Sequence, residues 1–567
     1  MLACELALNG VPVTVLERLT EIDRTIKAGA INTPSAEAFY RRGMLPDLAE
    51  VQRSALGHFA SFVRQRQAAG ATTTGRPPRF AGHFAGIMLR GDLLDEDDPD
   101  FTAAGPACDV GLVPQEALER LLGERAAELG VEVRRGVELT GFDADEDGVS
   151  VHTREASGAA GALRTGWLVG CDGGRSTVRK LAGFDFPGTD PGITGHQALV
   201  EMEGSQALGA GWNWTKTGTY AHGPMPGRIL TVEFDGPPAD REAPVTAEEL
   251  QAALRAVSGA DVTITKVHTA TRFTDNARQV SDYRKGRVLL AGDAAHVHSP
   301  FGGQGLNLGI GDAMNLGWKL AATVRGRAPE GLLDTYTAER HPIGAWVLEW
   351  TRAQVALMRP ESHARALREV VAEMSRTVAG TTFFAKKISG VWQRYDLPGD
   401  HPLTGRSAPD LELADGTRLA AHMHDGRALL LDLADDAGLR RRAAGYGDRV
   451  RVVTATCPAR PELAGLLVRP DGITAWAADA VPGADGTAPV RDIRDAHDVR
   501  DARGAADVRE ALGTRGVPGA REVPGTREVP GARETSGGLD ALDDALRRWF
   551  GEPVDAGVFE TGVFTGE

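Results

Sequence analysis

Apolar positions along the first half of the chain keep switching between a helical and a strand spacing. Residues 1–8 (MLACELAL) form an Ala-rich helical stretch that Asn9-Gly10 stops, and Val11 to Leu16 is a β-branched run closed by Glu17. A loop follows, then a helix opened by Thr33-Pro34-Ser35 with Glu37 in its first turn. GHFAGIML is a β-like run leading into the acidic loop LLDEDDPDF, a solvated segment. VPQEALERLLGERAAELG then gives an amphipathic helix, followed by strands that turn at Glu146-Asp147-Gly148. WLVGCDGGRSTVRKLAG predicts a buried strand, a Gly-rich turn and a helix, and residues 184–283 alternate apolar and polar positions among many Gly and Pro. A second strand, Gly-rich loop and long helix start at GRVLLAGDAAH, helices fill roughly 330 to 395, and a separate small α/β pattern begins near Pro398-Gly399.

This order predicts an α/β protein with α+β elements. Residues 1–183 are the first part of a nucleotide-binding domain, with inserted strands near 55–105, and 184–283 are a β-rich domain. Residues 284–397 return to the first domain and add helices, and 398–567 are the C-terminal unit. Inside that unit, about 485 to 538 repeats GVPGAREVPGTREVPGARE, too poor in large apolar residues for a packed core, and reads as a disordered surface loop. The opening helix, turn, strand and acid match the second half of a dinucleotide-binding unit, whose acid follows the glycine loop by roughly 20 residues. Counting back from Glu17 puts that loop before Met1, so the first strand and its GxGxxG are expected to be missing from the sequence as it stands.

Composition narrows the class. A net charge of -15 argues against a nucleic-acid partner, and no apolar run approaches the roughly 20 residues of a membrane span. Four dispersed cysteines (Cys4, Cys108, Cys171, Cys457) form no CxxC pair and no zinc pattern, as expected of a reduced, cytoplasmic chain.

The chemistry concentrates in LLAGDAAHVHSPFGGQGLNLGIGDA. An apolar strand delivers Asp293, whose carboxylate suits a ribityl or ribose hydroxyl. Gly302, Gly303 and Gly305 let the backbone approach a ligand, and a helix starting near Leu306 offers free N–H groups to an electron-rich ring edge. Together these suit the pyrimidine end of a reduced flavin. His296 and His298 form an H-x-H without further ligands, so no metal is assigned.

GCDGGRSTVRK together with GRVLLAGDAAHVHSPFGGQGLNLGIGDAMNLGWKLA resembles the single-component FAD-dependent aromatic hydroxylases of the para-hydroxybenzoate hydroxylase type. The RRG, LVGCDGGRSTVRK and GFDFPGT strings and the C-terminal appendage make the chain most similar to bacterial aromatic-polyketide hydroxylases and rifampicin monooxygenases. The resemblance implies a Rossmann-like FAD domain interleaved with an antiparallel β substrate domain, plus a thioredoxin-like C-terminal domain. It places Glu17 on the adenosine ribose, Gln115 against the flavin, and Asp172-Gly173 where FAD and the nicotinamide donor meet, with Arg175 and Arg179 supplying positive charge. Asp293 takes the ribityl position and Pro300, Gly302, Gly303, Gln304, Gly305, Leu306 and Asn307 lie beside the isoalloxazine. Lys27 stands where many relatives have Arg, which keeps the charge and loses the bidentate fork.

The activity implied is NADPH- or NADH-dependent hydroxylation, by O2 through a flavin C4a-hydroperoxide, of a phenolic or quinone-type polycyclic aromatic such as a polyketide. Baeyer–Villiger oxygenation of a polycyclic ketone and a truncated, non-catalytic remnant are the alternatives. The substrate is expected over the flavin, between GHFAGIML with Phe84, the turn at Pro300-Phe301, and Trp212, Trp214, Tyr220 and Phe234, with His222 as the weak candidate for a base. Trp212-Asn213-Trp214 resembles the W-x-W of flavin halogenases, but Thr215-Lys216 replaces the Ile-Pro expected there. Without CxxC, the C-terminal unit is expected to be structural or oligomer-forming, consistent with a homodimer.

Overall fold

Glycine and proline punctuation sets the element boundaries in a computed structural model of the chain, which describes residues 1–68, 80–223, 225–241, 243–480 and 534–553. The opening helix, Leu2–Leu8, ends at Asn9 and leads through Gly10 (φ 74°) into the strand Thr14–Glu17, which pairs in parallel with Glu132–Arg135. A second parallel pair, Leu168–Gly170 with Val288–Leu290, carries the two Gly-rich turns at its carboxyl ends. Both helices after these turns pack back onto the sheet: Val178 of the 177–181 helix and Leu316 and Leu320 of Gly305–Val324 share one core with Val288, Leu289 and Leu290. The helix expected at Thr33 is capped by Asn32, whose side chain accepts from the Ser35 N–H at 3.1 Å, with Pro34 in the first turn.

In the region expected to hold inserted strands, a helix runs over Leu45–Ala68, and a short hairpin follows at Phe80–Phe84 and Ile87–Arg90. The strand alternation of GHFAGIML covers too few residues to extend further back.

The β domain is one antiparallel sheet in the order 211–214, 218–222, 228–233, 194–203, 263–273. One face packs on the helix Ala247–Ser258, through Ala198, Val200, Tyr220 and Ile229 against Leu250, Leu254 and Val257. The other face meets the hairpin and the 301 turn through Trp212, Leu230, Val232 and Phe273.

The C-terminal unit is a four-stranded mixed sheet, Val450–Thr454 parallel to Ala428–Asp432, then Leu463–Val468 and Thr474–Asp479 antiparallel. It is keyed into the first domain by buried charge. Arg469 donates to both Glu339 carboxylate oxygens at 2.9 and 2.7 Å, and Lys319 joins Glu339 at 3.0 Å. Arg42 donates to Glu5 and to the carbonyls of Met423 and Pro470. Trp318 packs on Trp549 and Phe550 of the helix Glu534–Phe550. The repeat region expected as a disordered loop lies, through residue 533, outside the described residues. Among the described residues no helix is long and apolar enough to cross a membrane.

Candidate active site

The strand Val288–Leu290, fully buried, ends in a sharp turn at Gly292 (φ 62°), and the next residue, Asp293, is exposed. Its carboxylate accepts no hydrogen bond among the described residues, and its charge is felt by His298 across the loop. The rest of the loop is fixed from below. His296 Nε2 lies 2.7 Å from Asp312, which also accepts from the Gly292 N–H at 2.9 Å and from Arg340 Nε at 2.8 Å. Arg340 in turn donates to Tyr395 Oη and to the Leu308 carbonyl, both at 3.0 Å. His296, Asp312 and Arg340 are all buried. Burial pushes the Asp312 carboxyl up, but Arg340 and His296 beside it pull it below its ordinary value, so it stays ionised.

Above this buried chain the loop presents open backbone. Gly303 (φ 62°) has no atom within 4 Å of where a Cβ would sit, and neither does Gly173 (φ 78°) in the facing turn. The buried atoms His298 Nε2 and Ser299 Oγ have no partner. The helix begins at Gly305, with Gln304 before it and Leu306 and Asn307 in its first turn. Asn307 donates to the Gly303 carbonyl at 2.8 Å and accepts from the Asn32 N–H and the Ser35 hydroxyl, both at 2.8 Å. Gln304 folds back on the Gly302 carbonyl at 2.9 Å. An exposed carboxylate, unpartnered polar atoms and uncovered glycines beside a helix start fit the ribityl chain and ring of a flavin.

Each of the other expected residues is held by partners of its own. Gln115 exchanges hydrogen bonds with Ala28, its backbone N–H donating at 2.9 Å, and Gln197 of the β domain donates to Ile26 at 2.8 Å. Residues 26–28 are thus pinned between two glutamines, with Lys27 half out in solvent and paired with Asp23 at 2.7 Å. Glu17, at the end of its strand, accepts from the Leu19 N–H at 2.8 Å. Asp172 accepts from Ser176 and from the Val178 N–H, so it caps the helix that follows. Arg175 is exposed and donates to the Arg241 carbonyl, tying this turn to the β domain. Arg179 does not supply free positive charge: it is buried, donates to the carbonyls of Ala294 and Gly174, and stacks on Phe186 at 3.8 Å. It locks the two Gly-rich turns together.

On the β-domain side, strand parity sorts the aromatic candidates. Trp212 pairs with Ala221 and Trp214 with Thr219, so both tryptophans share one face, and Tyr220 and His222 take the other. Trp212 lies 5.1 Å from His83 and 6.3 Å from Phe301, Phe273 meets Phe301 edge-on at 5.8 Å, and Phe84 packs on Trp350 and Phe384. Phe234 joins this cluster at its margin, with Arg359 over its ring. Trp214 carries Arg368 at 5.0 Å. Tyr220 is not a wall of this cluster, because its ring is buried against the 247–258 helix and its hydroxyl accepts from the Gly209 N–H at 3.0 Å. His222 is not there either. It pairs with Ile229 on the same helix-packed face, and lines a separate open cavity of about 430 Å³ with His268 and Glu201. Pro300 is exposed at the rim and Phe301 is buried beneath it.

Several organising residues carry weak signals in the sequence. Asp312 sits within an apolar helix, and Arg340 and Gln354 lie on the helix Thr335–Met358, far along the chain from their partners. An isolated charge on an otherwise buried helix face was the available clue.

Comparison with known proteins gives the family. The FAD binding domain family matches residues 1–351, and the family of aromatic-ring hydroxylase C-terminal regions matches residues 401–497. A 12-dehydrotetracycline 5-monooxygenase/anhydrotetracycline 6-monooxygenase of Streptomyces rimosus is 41% identical over 86% of this chain and 94% of its own length. A rifampicin monooxygenase of Streptomyces venezuelae is 40% identical over 84% of this chain and 93% of its own. The solved structure of the anhydrotetracycline hydroxylase OxyS from Streptomyces rimosus superposes with a TM-score of 0.74 at 37% identity, covering 98% of this chain and 97% of that one.

Proposed function

The chain belongs to the FAD-binding aromatic-ring hydroxylases, and from that premise we propose that it hydroxylates a phenolic or quinone-type fused aromatic of polyketide type, with NADPH or NADH as reductant and O2 as oxidant. The observation that carries the reading is the apposition of two unlike surfaces. A loop with an exposed carboxylate and uncovered glycines would border the flavin, and Phe301 at its end meets Trp212 and Phe273, aromatic rings that suit a flat ring system.

Bound at the loop, FAD supplies the electron transfer and oxygen activation that no side chain here provides. Asp293 would hold the ribityl chain, residues 302–306 would border the isoalloxazine, Gln115 and Asn307 would fix the backbone around it, and Glu17 and Lys27 would lie toward the adenosine side. Trp212, Phe301 and Phe84 exclude water from the reacting ring, and Pro300 closes the rim above Phe301.

The test is to load the purified protein with FAD and follow NADPH and NADH consumption with anthracycline-, angucycline- and rifamycin-like phenols. A product one oxygen heavier with the ring system intact is expected. No stimulation by any polyphenol defeats the proposal, and an oxygen inserted into an opened ring replaces hydroxylation with Baeyer–Villiger chemistry.

A further inference from the structure

The hairpin 80–90 puts a histidine into the aromatic wall. Its turn, Ala85-Gly86, has both residues at positive φ, 52° and 85°, and an alanine in that region stores strain that the surroundings must hold. Two contacts hold it. The buried Gln354 accepts from the Ala85 N–H at 3.0 Å through Oε1, and its Nε2 donates to the Phe301 carbonyl at 3.3 Å, so one amide bridges the hairpin tip and the 301 turn. Gly86 is pressed on both tryptophans: a Cβ there would stand 2.9 Å from Trp212 and from Trp214. The hairpin is therefore seated in one position against the wall.

His83 is placed by this seat. Its Nδ1 accepts from the Gly86 N–H at 3.3 Å, which puts the proton of the neutral ring on Nε2. The ring lies against Trp212 and is partly buried, and among the described residues Nε2 has no hydrogen-bond partner. Burial pushes the imidazole down to about 4, and no charged side chain contributes to that shift, so the ring stays neutral at working pH. It offers one N–H and no free lone pair.

We infer that His83 is a specificity-determining residue, its Nε2–H donating a hydrogen bond to a phenolic or quinone oxygen of a fused aromatic ring held against Trp212. This rests on the hydroxylase reading for the class of ligand. It assigns His83 no proton abstraction; the residue selects and orients rings that carry an oxygen at the matching position.

Three variants separate this role from a structural one. His83→Gln carries an amide N–H to the Nε2 position, His83→Asn keeps an acceptor near Gly86 without that donor, and His83→Phe lacks both. With FAD-loaded protein and 1,8-dihydroxyanthraquinone as probe, kcat/KM is expected to fall about 10- to 100-fold in His83→Asn and His83→Phe, the loss of a hydrogen bond to a strongly polar oxygen, and to return to within about fivefold in His83→Gln. Product formed per NADPH consumed falls in the same order. The probe's dissociation constant, read from its visible absorbance without reductant, follows the same ranking and shows no step between pH 5 and 8 that His83→Phe abolishes. Asn rescuing where Gln fails assigns His83 to the hairpin turn and overturns the inference, as does an unchanged His83→Phe. Wild type that binds the probe without converting it counts against the hydroxylase reading only together with the wider set of polyphenols, while the binding ranking still judges His83. Wild type that does not bind the probe overturns the inference and leaves the hydroxylase reading to those other phenols.

Discussion

The two sides of the candidate active site are held by opposite physics. Below the 291–304 loop runs a buried chain in which the Asp312 carboxylate is gripped by His296 and by the Arg340 guanidinium, which ends on Tyr395. Opposite it stand the hairpin 80–90 and the sheet face around Trp212, whose ion pair, Arg90 with Asp92, lies exposed at the hairpin's far end. They rest on aromatic contacts, one strained turn and the single neutral amide of Gln354. Buried charge tolerates only one geometry, because removing a partner leaves an uncompensated ion, whereas apolar packing accepts exchange of shape at modest cost. A site for one fixed cofactor suits the first arrangement.

The sharpest way to break this comparison is at Arg340. Replacing it with Met leaves Asp312 buried beside His296 without its cation, and the cost expected for half of a buried pair is about 3–5 kcal/mol. At about 2–4 °C per kcal/mol, unfolding should move down by roughly 6–20 °C, with weakened retention of FAD. A shift of a degree or two with full flavin content in thermal scans would show that the charge chain does not set the loop.

Gln354 tests the neutral side with a smaller expected effect. Gln354→Leu orphans the Ala85 N–H and the Phe301 carbonyl, which costs about 2 kcal/mol after partial relaxation. Hydrogen exchange across 80–90 should quicken while flavin stays bound; unaltered exchange there would mean packing alone seats the hairpin. Gly302 supplies an internal check. Its φ is 81° and a Cβ would stand 2.8 Å from Gln354 Nε2, so Gly302→Ala should cost about 1–2 kcal/mol, part of it recovered in a Gln354→Ala background. Strict additivity of the two in denaturant unfolding would show that they do not press on each other.

The same contrast explains what the sequence makes legible. The strand, Gly-rich turn and helix around Asp172 and Asp293 are read from local spacing, because glycines and strand ends fix backbone within a few residues. The antiparallel β domain follows from alternation. Which aromatic faces the hairpin does not, since the face depends on register: Trp212 opposite Ala221 sends Tyr220 and His222 to the other side, and a shift of one residue would reverse the choice. Arg179 is legible as a cation but not as a lock, because its partners Gly174 and Ala294 are backbone carbonyls. Asp312, Arg340 and Gln354 act across 28 to 269 residues of sequence, where local pattern holds no information.

The smallest effect sharpens the comparison most, because it asks whether buried charge stabilises by itself or only through the geometry it enforces. Lys319 is buried beside Glu339 and Asn315, with Arg469 and Asp471 completing the cluster between the first domain and the C-terminal unit. Burial pushes its ammonium down to about 8 from 10.5, although Glu339 pulls the other way. Glu339, held down to about 2 by Arg469 and Lys319 against the opposing effect of burial, keeps both hydrogen bonds from Arg469 when Lys319 is removed. Lys319→Met leaves the carboxylates of Glu339 and Asp471 sharing the single guanidinium of Arg469, which keeps its hydrogen bonds to both. Its cost at pH 7 should therefore be smaller than that of Arg340→Met, where Asp312 loses its only guanidinium partner. The pH dependence has a definite sign. Between pH 8 and 10.5 the unfolded chain binds more protons at this lysine than the folded one does, so its contribution to stability rises with pH across that window. Subtracting the unfolding free energies of Lys319→Met from those of the wild type across pH 7 to 11 isolates that slope from other groups titrating there. A flat difference would mean that Lys319 keeps its proton normally in the folded protein, and a loss comparable to Arg340→Met would mean that every ion in the buried clusters is held as tightly as those under the flavin loop.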